Sequence, residues 1–469
     1  MTALLCTTSF MVILDTATVT TALPSIQADL GFSSAGLQWV VTAYTVTFGS
    51  LMLLGGRLAD LFGRRRVFVA GNVIFLAASL ICGLAVSSEM LILGRVLQGA
   101  GGAVVLPAGL SLLMTLFEEG PARNRALSFW ATTAGVGGIV GFVVGGPLTD
   151  GPGWPWIFFM NLPMGAVVLA LTPALLPAVR DHHGRPFLDL GGAVTVTGTL
   201  VAFVAAMSAA PEVGWAHPRT LGLLAASAAL FAAFVRVESR VEVPLVPLRL
   251  FRSRTLVGGN LVLLTTGMAS GGIPFVLTLY TQRVLGWTAT QFALALLVVA
   301  VTQIAGFAIG QRLATRTGAP RATVIGTLVA AVALVPLVGL SVEGPPLGWF
   351  LAPLALYGVG FGVSAIAAQI AALAGTAPED AGLAGGLSES APMLGMPLGI
   401  ALLSSVAVTR TDWLAGGGVD AQVAEVAGYQ LAVVAAVVIT LLGLLAAVLL
   451  LRRTDAADPQ PSEPVADLP

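Results

Sequence analysis

Three ionisable side chains interrupt apolar stretches that otherwise carry no charge: Asp15, Arg95 and Glu389. A charge at the centre of a membrane helix costs about 2.5–3.5 kcal/mol on insertion scales, so such groups persist where they pair, line a pathway or carry a proton. Asp15 lies near the middle of the run 1–27. Arg95 stands one turn before Gln98 in the run 90–117. Glu389 lies six to eight residues into 381–409, within "GLSESAPMLGMPLG". Arg95 can pair with Asp15 and tie two segments together; Asp15 can serve that pair alone or carry a proton as well. Glu389 has no basic partner in any apolar run except Arg95, and an isolated carboxyl in a low dielectric favours its neutral form. A proton carrier needs that behaviour. Protonation of either acid would weaken its hold on a cationic or polar cargo, so proton and cargo would compete.

A second charged feature is "GGRLADLFGRRR", Gly55 to Arg66, with Arg57, Asp60, Arg64, Arg65 and Arg66 packed between long apolar runs. Basic residues can anchor topology. Asp60 cannot, since an acid does not help orientation. A carboxylate at the end of a helix can pair with Arg64 or meet a positive helix N-terminus. Pairs of this kind contribute about 0–1 kcal/mol each.

The surrounding chain is 469 residues, 57% hydrophobic and 10% charged. A soluble domain carries about 25% charged residues, so the bilayer is the solvent here. Cutting the sequence at its charges leaves fourteen apolar windows, from 1–27 to 426–451, each near the roughly 20 residues that cross a hydrocarbon core. They are continuous rather than alternating, which selects helices over strands. The weakest, 220–235, is short, with Arg219 and Arg236 placed to snorkel from its ends. With the N-terminus in the cytoplasm, eighteen arginines fall inside and three outside (Arg219, Arg283 and Arg410), a decisive positive-inside bias. Both termini are then cytoplasmic.

The pattern Arg57-Leu58-Ala59, three residues, Gly63 recurs as Arg312-Leu313-Ala314, three residues, Gly318, on the same side of the membrane. Thr315 stands where the first copy has Asp60. The repeat pairs helices 1–6 with helices 9–14 and leaves helices 7 and 8 as an insert, a transporter plan with the substrate site between halves. The expected units are a six-helix bundle over 1–180, two inserted helices and a linker over 181–254, a second six-helix bundle over 255–453, and a disordered acidic tail over 454–469.

These motifs together resemble the major facilitator superfamily and, within it, the fourteen-helix drug:proton antiporters. "GRLADLFGRRR" is similar to that family's cytoplasmic signature at Gly56, Leu58, Asp60, Gly63, Arg64 and Arg65. "LDTATVTTALP" resembles its first-helix motif, "RVLQGAGGAVVLPAG" its fourth-helix motif, and "WPWIFFMNLPMG" the start of its sixth helix. The resemblance implies an all-α major facilitator fold of two six-helix bundles plus two inserted helices. It implies proton-coupled export of drugs or natural products by alternating access, with Asp15, Glu389, Arg95 and Gln98 at the proton-coupling and substrate site. It further implies a cytoplasmic gate of Gly56, Asp60, Gly63, Arg64 and Arg65, a location in the bacterial plasma membrane, and a monomer. Two positions depart from the pattern. The fifth helix reads Gly141-Phe142 where the family has Gly-Pro, which leaves Gly141, Gly145, Gly146 and Pro147 as the expected hinge. Pro155 replaces the usual Arg between two tryptophans.

The first departure keeps a second function open: a symporter or facilitator for a small nutrient on the same fold. An intramembrane enzyme would need paired catalytic groups, and no such pair, no H-E-x-x-H and no nucleotide loop is present. Cys6 and Cys82 lack metal-ligand spacing. The expected partners are a small-molecule substrate, protons and lipid, without nucleic acid. No cofactor is expected, the drive being the proton gradient. Phe10, Met11, Phe48, Phe275, Tyr280, Met393 and Met396 are candidates for an adaptable apolar lining.

Overall fold

A computed structural model describes residues 1–117, 121–176, 189–241, 244, 248–374, 376 and 381–451, with a few helical side chains left out, those of Arg57 and Asp60 among them. The expected tail, 454–469, lies outside the described residues. The helices are α1 (Thr2–Leu30), α2 (Trp39–Phe62), α3 (Arg64–Gly83), α4 (Ser88–Leu116), α5 (Pro121–Asp150), α6 (Trp156–Leu175), α7 (Leu190–Val213), α8 (Pro218–Glu238), α9 (Arg254–Val284), α10 (Ala289–Thr317), α11 (Ala319–Gly339), α12 (Leu347–Leu373), α13 (Ala381–Gly416) and α14 (Ala421–Leu450). Among the described residues, twelve are long and apolar enough to cross a membrane; the apolar parts of α2 and α5 are shorter, Trp39–Met52 and Val136–Asp150. No strand occurs among the described residues.

Helix is the backbone's only way to satisfy its own polar groups in lipid without closing a barrel. The ends are set by local chemistry. Ser87 accepts from Met90 N at 3.2 Å to start α4, and Asp420 accepts from Gln422 N and Val423 N to start α14. Gly63 breaks α2 from α3 at φ 91°, and Gly318 breaks α10 from α11 at φ 88°. Both turns need the left-handed region where a side chain is disfavoured, which explains why glycine recurs 255 residues downstream in the repeated motif.

Helix packing also repeats. In the first part of the chain α1 packs on α5, and α4 on both α2 and α3. In the last part α9 packs on α13, and α12 on both α10 and α11. The two sets meet through α2 with α13, α5 with α10, and α1 with α9. Helices α7 and α8 pack on each other, and α7 also touches α2 and α13. Perimeter faces are apolar and exposed: Leu441, Leu442, Leu445, Val448 and Leu449 along α14 are each at least 44% exposed, a stripe that lipid solvates.

The two sets are not equally close along their length. At the end remote from Gly63, one buried cluster joins Ala22, Leu23 and Ile26 of α1 to Ile273, Val276 and Tyr280 of α9 and Phe292 of α10. Toward the Gly63 end, the buried clusters of α1–α6 and of α9–α14 are separate among the described residues, apart from Met393, which leans onto the first. By this sharing of buried side chains among the described residues, the end remote from Gly63 is the closed end and the Gly63 end the parted one.

A buried ion cluster in the first half and an exposed acid in the second

Asp15 and Arg95 are both fully buried and joined at 2.8 Å from Arg95 Nη1 to Asp15 Oδ2. Helix α1 brings the carboxylate and α4 the guanidinium. The second carboxylate oxygen accepts from Gln98 Nε2 and from Asn161 Nδ2, each at 2.8 Å. Ser79 of α3 closes the ring by accepting from Gln98 Nε2 at 2.9 Å and from Asn161 Nδ2 at 3.3 Å. Arg95 also donates from Nε to the carbonyl of Val40 at 2.9 Å and from Nη1 to Gln98 Oε1 at 2.6 Å. Its guanidinium lies 4.3 Å from the centre of the Tyr44 ring, which in turn stacks on Phe48. Five helices thus contribute to one buried network, in which α4 and α6 reach the α1 carboxylate directly. The carboxylate is satisfied by three donors and a positive charge, whereas Arg95 Nη2 is buried without a hydrogen-bond partner.

Sequence reasoning found Asp15, Arg95 and Gln98 and missed Ser79, Asn161 and Tyr44. Asn161 had a signal, a carboxamide in the apolar "FFMNLP". Ser79 had none, since a lone serine in an apolar helix usually bonds its own backbone, as this one also does to Phe75 O.

Glu389 differs from expectation. It is exposed rather than buried, and it has a partner, accepting from Gln369 Nε2 of α12 at 2.7 Å. One turn further along α13, the backbone of Met393 approaches Gly49 of α2 closely. Residues four apart share a helix face, so Glu389 borders the seam between α13 and α2 on the parted side. The structure does not bring it into contact with the Asp15 cluster.

The remaining candidates fall in three places. Gly56, Gly63, Arg64 and Arg65 sit at the α2–α3 turn, with the side chain of Asp60 outside the described residues. Gly55 rather than Gly56 is the tight position there: a Cβ on Gly55 would stand 2.1 Å from Ala103 O, whereas one on Gly56 would stand 3.7 Å from Pro107 Cβ. On α5, a Cβ at Gly141 would stand 2.6 Å from Ala17 Cβ, and one at Gly145 would stand 2.9 Å from Thr21 Oγ1, so both press on α1. Gly146 presses on Thr290 of α10, and α5 runs on through Pro147 to Asp150. Of the expected lining residues, Phe275 and Tyr280 belong instead to the core at the closed end, because that end has collapsed onto them. Phe10 does border a cavity of about 490 Å³, with Cys6 and Thr7 of α1 and Phe129 and Thr133 of α5.

This is a membrane protein of many helices, built from two similarly packed sets with a buried ion cluster in one. The chain belongs to the Major Facilitator Superfamily, whose model matches residues 5–400. It is 38% identical over 417 residues to a cephamycin export protein of Amycolatopsis lactamdurans, covering 87% of this chain and 85% of that one. It is 38% identical over 457 residues to a puromycin resistance protein of Streptomyces alboniger, covering 96% and 90%. The fold is similar to an inward-facing, unoccupied bacterial homolog of the lysosomal transporter Spinster, with TM-score 0.67, 16% identity, and 97% and 98% coverage. It is also similar to an auto-inhibited peptide transporter of the POT family, with TM-score 0.68, 16% identity, and 98% coverage of both chains.

Proposed function

We propose that this chain is a proton-coupled exporter of drugs or natural products that works by alternating access in a bacterial plasma membrane. Supporting it are the named activities of its relatives, export of cephamycin and resistance to puromycin. The observation that carries the proton part is the Asp15 carboxylate, sealed from water with Arg95 as counter-ion. Adding a proton to Asp15 removes the charge that holds Arg95, so loading the site and repacking α1 against α4 are one event. Each proton moving inward yields ~2.3 kcal/mol per 100 mV, plus the pH term.

In this reading all fourteen helices span, and both termini and the Gly56–Arg65 gate face the cytoplasm. The halves are 1–180 and 255–453, with 181–254 inserted between them, and the molecule works as a monomer without a cofactor. The end closed by the shared core is the outer one, and the parted end opens inward. Glu389, exposed beside that opening, is the second acid and meets cargo or proton arriving from the cytoplasm. The glycines of α5 form a seam on which α1 can slide.

The test is transport of puromycin in proteoliposomes under an imposed pH gradient, with wild type, Asp15→Asn and Glu389→Gln compared. The expected result is gradient-driven movement in wild type that is lost in Asp15→Asn and weakened in Glu389→Gln. Full gradient-driven transport by Asp15→Asn would refute the proton assignment. A wild type that confers no resistance in a pump-deficient host and moves none of its relatives' compounds would refute export.

A further inference from the structure

At the closed end a carboxylate from one half serves a helix terminus in the other. Helix α10 begins with its own capping box: Thr288 Oγ1 accepts from Gln291 N at 3.2 Å, and Gln291 Oε1 accepts from Thr288 N at 3.0 Å. That box leaves the amides of Ala289 and Thr290 without a partner inside α10. Asp150, the last residue of α5, takes both. Its Oδ1 accepts from Ala289 N at 3.1 Å, and its Oδ2 accepts from Thr290 N at 2.9 Å and from Thr290 Oγ1 at 2.5 Å. A negative charge at a helix N-terminus is also favoured by the helix dipole.

One turn before Asp150, Gly146 lets the α5 backbone come against Thr290. A Cβ there would stand 2.5 Å from Thr290 Cα and 2.9 Å from Thr290 N, both backbone atoms that cannot swing aside. Two further bonds cross between α1 and α9 nearby: Thr278 Oγ1 donates to Thr20 O at 3.3 Å, and Gln282 Nε2 donates to Thr21 O at 3.0 Å. Arg283 donates to Gln27 of α1 and, at 3.2 Å, to Glu425 of α14.

We propose that Asp150 is the clasp that holds the outer end shut, by completing the α10 N-terminus from the opposite half, and that it sets the balance between inward-open and outward-open forms. This rests on the alternating-access reading above. Opening the outer end would strip two amides and a hydroxyl from one carboxylate in a single step, so the loss of one side chain shifts the whole equilibrium. Gly146 is the steric half of the device, since only a residue without Cβ allows the carboxylate to reach.

The test is a distance measurement between spin labels on Val86→Cys, in the α3–α4 loop, and Val419→Cys, in the α13–α14 loop. The full-length protein would be held in lipid nanodiscs. Both native cysteines, Cys6 and Cys82, would be replaced by alanine so that only the introduced pair is labelled. Asp150→Ala is expected to raise the ratio of long to short outer distances about tenfold over wild type, in line with the loss of charge-assisted bonds at a helix terminus. Gly146→Ala, a steric change that leaves the carboxylate in place, is expected to shift the ratio the same way. A wild type that populates both distances while the two variants match it overturns the clasp and leaves the transport reading standing. A single distance in all three proteins, unchanged between pH 5 and pH 8, overturns both.

Discussion

Replacing Arg95 with methionine would leave the Asp15 carboxylate buried without its counter-ion. Asp15 would keep two donors, Gln98 Nε2 and Asn161 Nδ2 at 2.8 Å each, but no positive charge. Breaking a fully buried pair from one side costs about 3–5 kcal/mol, because the remaining charge is desolvated and uncompensated. The opposite substitution, Asp15→Asn, leaves the Arg95 guanidinium buried without its counter-ion and should cost a similar amount, about 3–5 kcal/mol. Arg95 would still donate to Val40 O at 2.9 Å and Gln98 Oε1 at 2.6 Å, and would still lie on the Tyr44 face. The decisive variant is the double one. Once Asp15 is neutral, Arg95→Met removes no counter-ion, so Asp15→Asn with Arg95→Met should be more stable than Arg95→Met alone. Denaturant unfolding in mild detergent, followed by tryptophan fluorescence, would give the three values. A double variant less stable than Arg95→Met, or an Arg95→Met protein as stable as wild type, would refute the claim that compensation of charge holds α1 to α4.

Four other substitutions test the packing. Gly141→Ala puts a methyl 2.6 Å from Ala17 Cβ and 2.9 Å from Leu14 O, so it should destabilise by about 1–3 kcal/mol in the same unfolding assay. Gly63→Ala forces a side chain into φ 91° and should cost about 1–2 kcal/mol, whereas Gly56→Ala, with its nearest neighbour 3.7 Å away, should lie within about 0.5 kcal/mol of wild type. Equal losses at Gly63 and Gly56 would refute the geometric distinction between them. Tyr44→Leu removes the ring under Arg95 and its stack on Phe48; the cation–π part, about 1–2 kcal/mol, should vanish when Arg95 is already methionine, leaving only the packing loss.

Most of the helix pattern was legible because lipid leaves a chain few choices: an uncharged run of sufficient length becomes a helix whatever its details. The turn at Gly63 was legible for a related reason, since its repeat at Gly318 pointed to a position that requires glycine. The pairing of Asp15 with Arg95 could be anticipated because each lacked any other partner of opposite sign nearby in depth. Glu389 could not be placed by the same logic. Sequence hydropathy locates a residue along the membrane normal but not around its helix, and Glu389 turned out to face the parted seam with Gln369 beside it. The same blindness put Phe275 and Tyr280 in an expected cavity when they lie in the shared core. Which end is closed is a property of how the two sets lean, and single-helix patterns carry no record of it. Asp150 was invisible for that reason: its partners are backbone amides of a helix some 140 residues away, and amides leave no trace in a sequence.

The two sets of helices pack alike but carry different chemistry, and the difference can be located residue by residue. The Cβ position of Gly101 faces Phe75 N and Gly71 O, as that of Gly360 faces Ala330 N and Gly326 O. Counting back six residues on each helix sets Arg95 against Leu354, and counting back three sets Gln98 against Tyr357. Likewise Gly141 meets Leu14 O as Gly395 meets Leu264 O, which sets Asp15 against Thr265. Where the first half holds a carboxylate, a guanidinium and a carboxamide, the second holds Thr265, bonded to its own helix at Val262 O, a buried Leu354, and Tyr357. A buried ion pair stabilises a fold no better than apolar side chains of similar volume would, and the second half demonstrates that the same helix packing closes without one. Stability therefore does not account for the cluster in the first half. Under the proton-coupled reading proposed above, a charge that one proton can switch off, carried on a helix that also meets the second half, supplies the reason that stability does not.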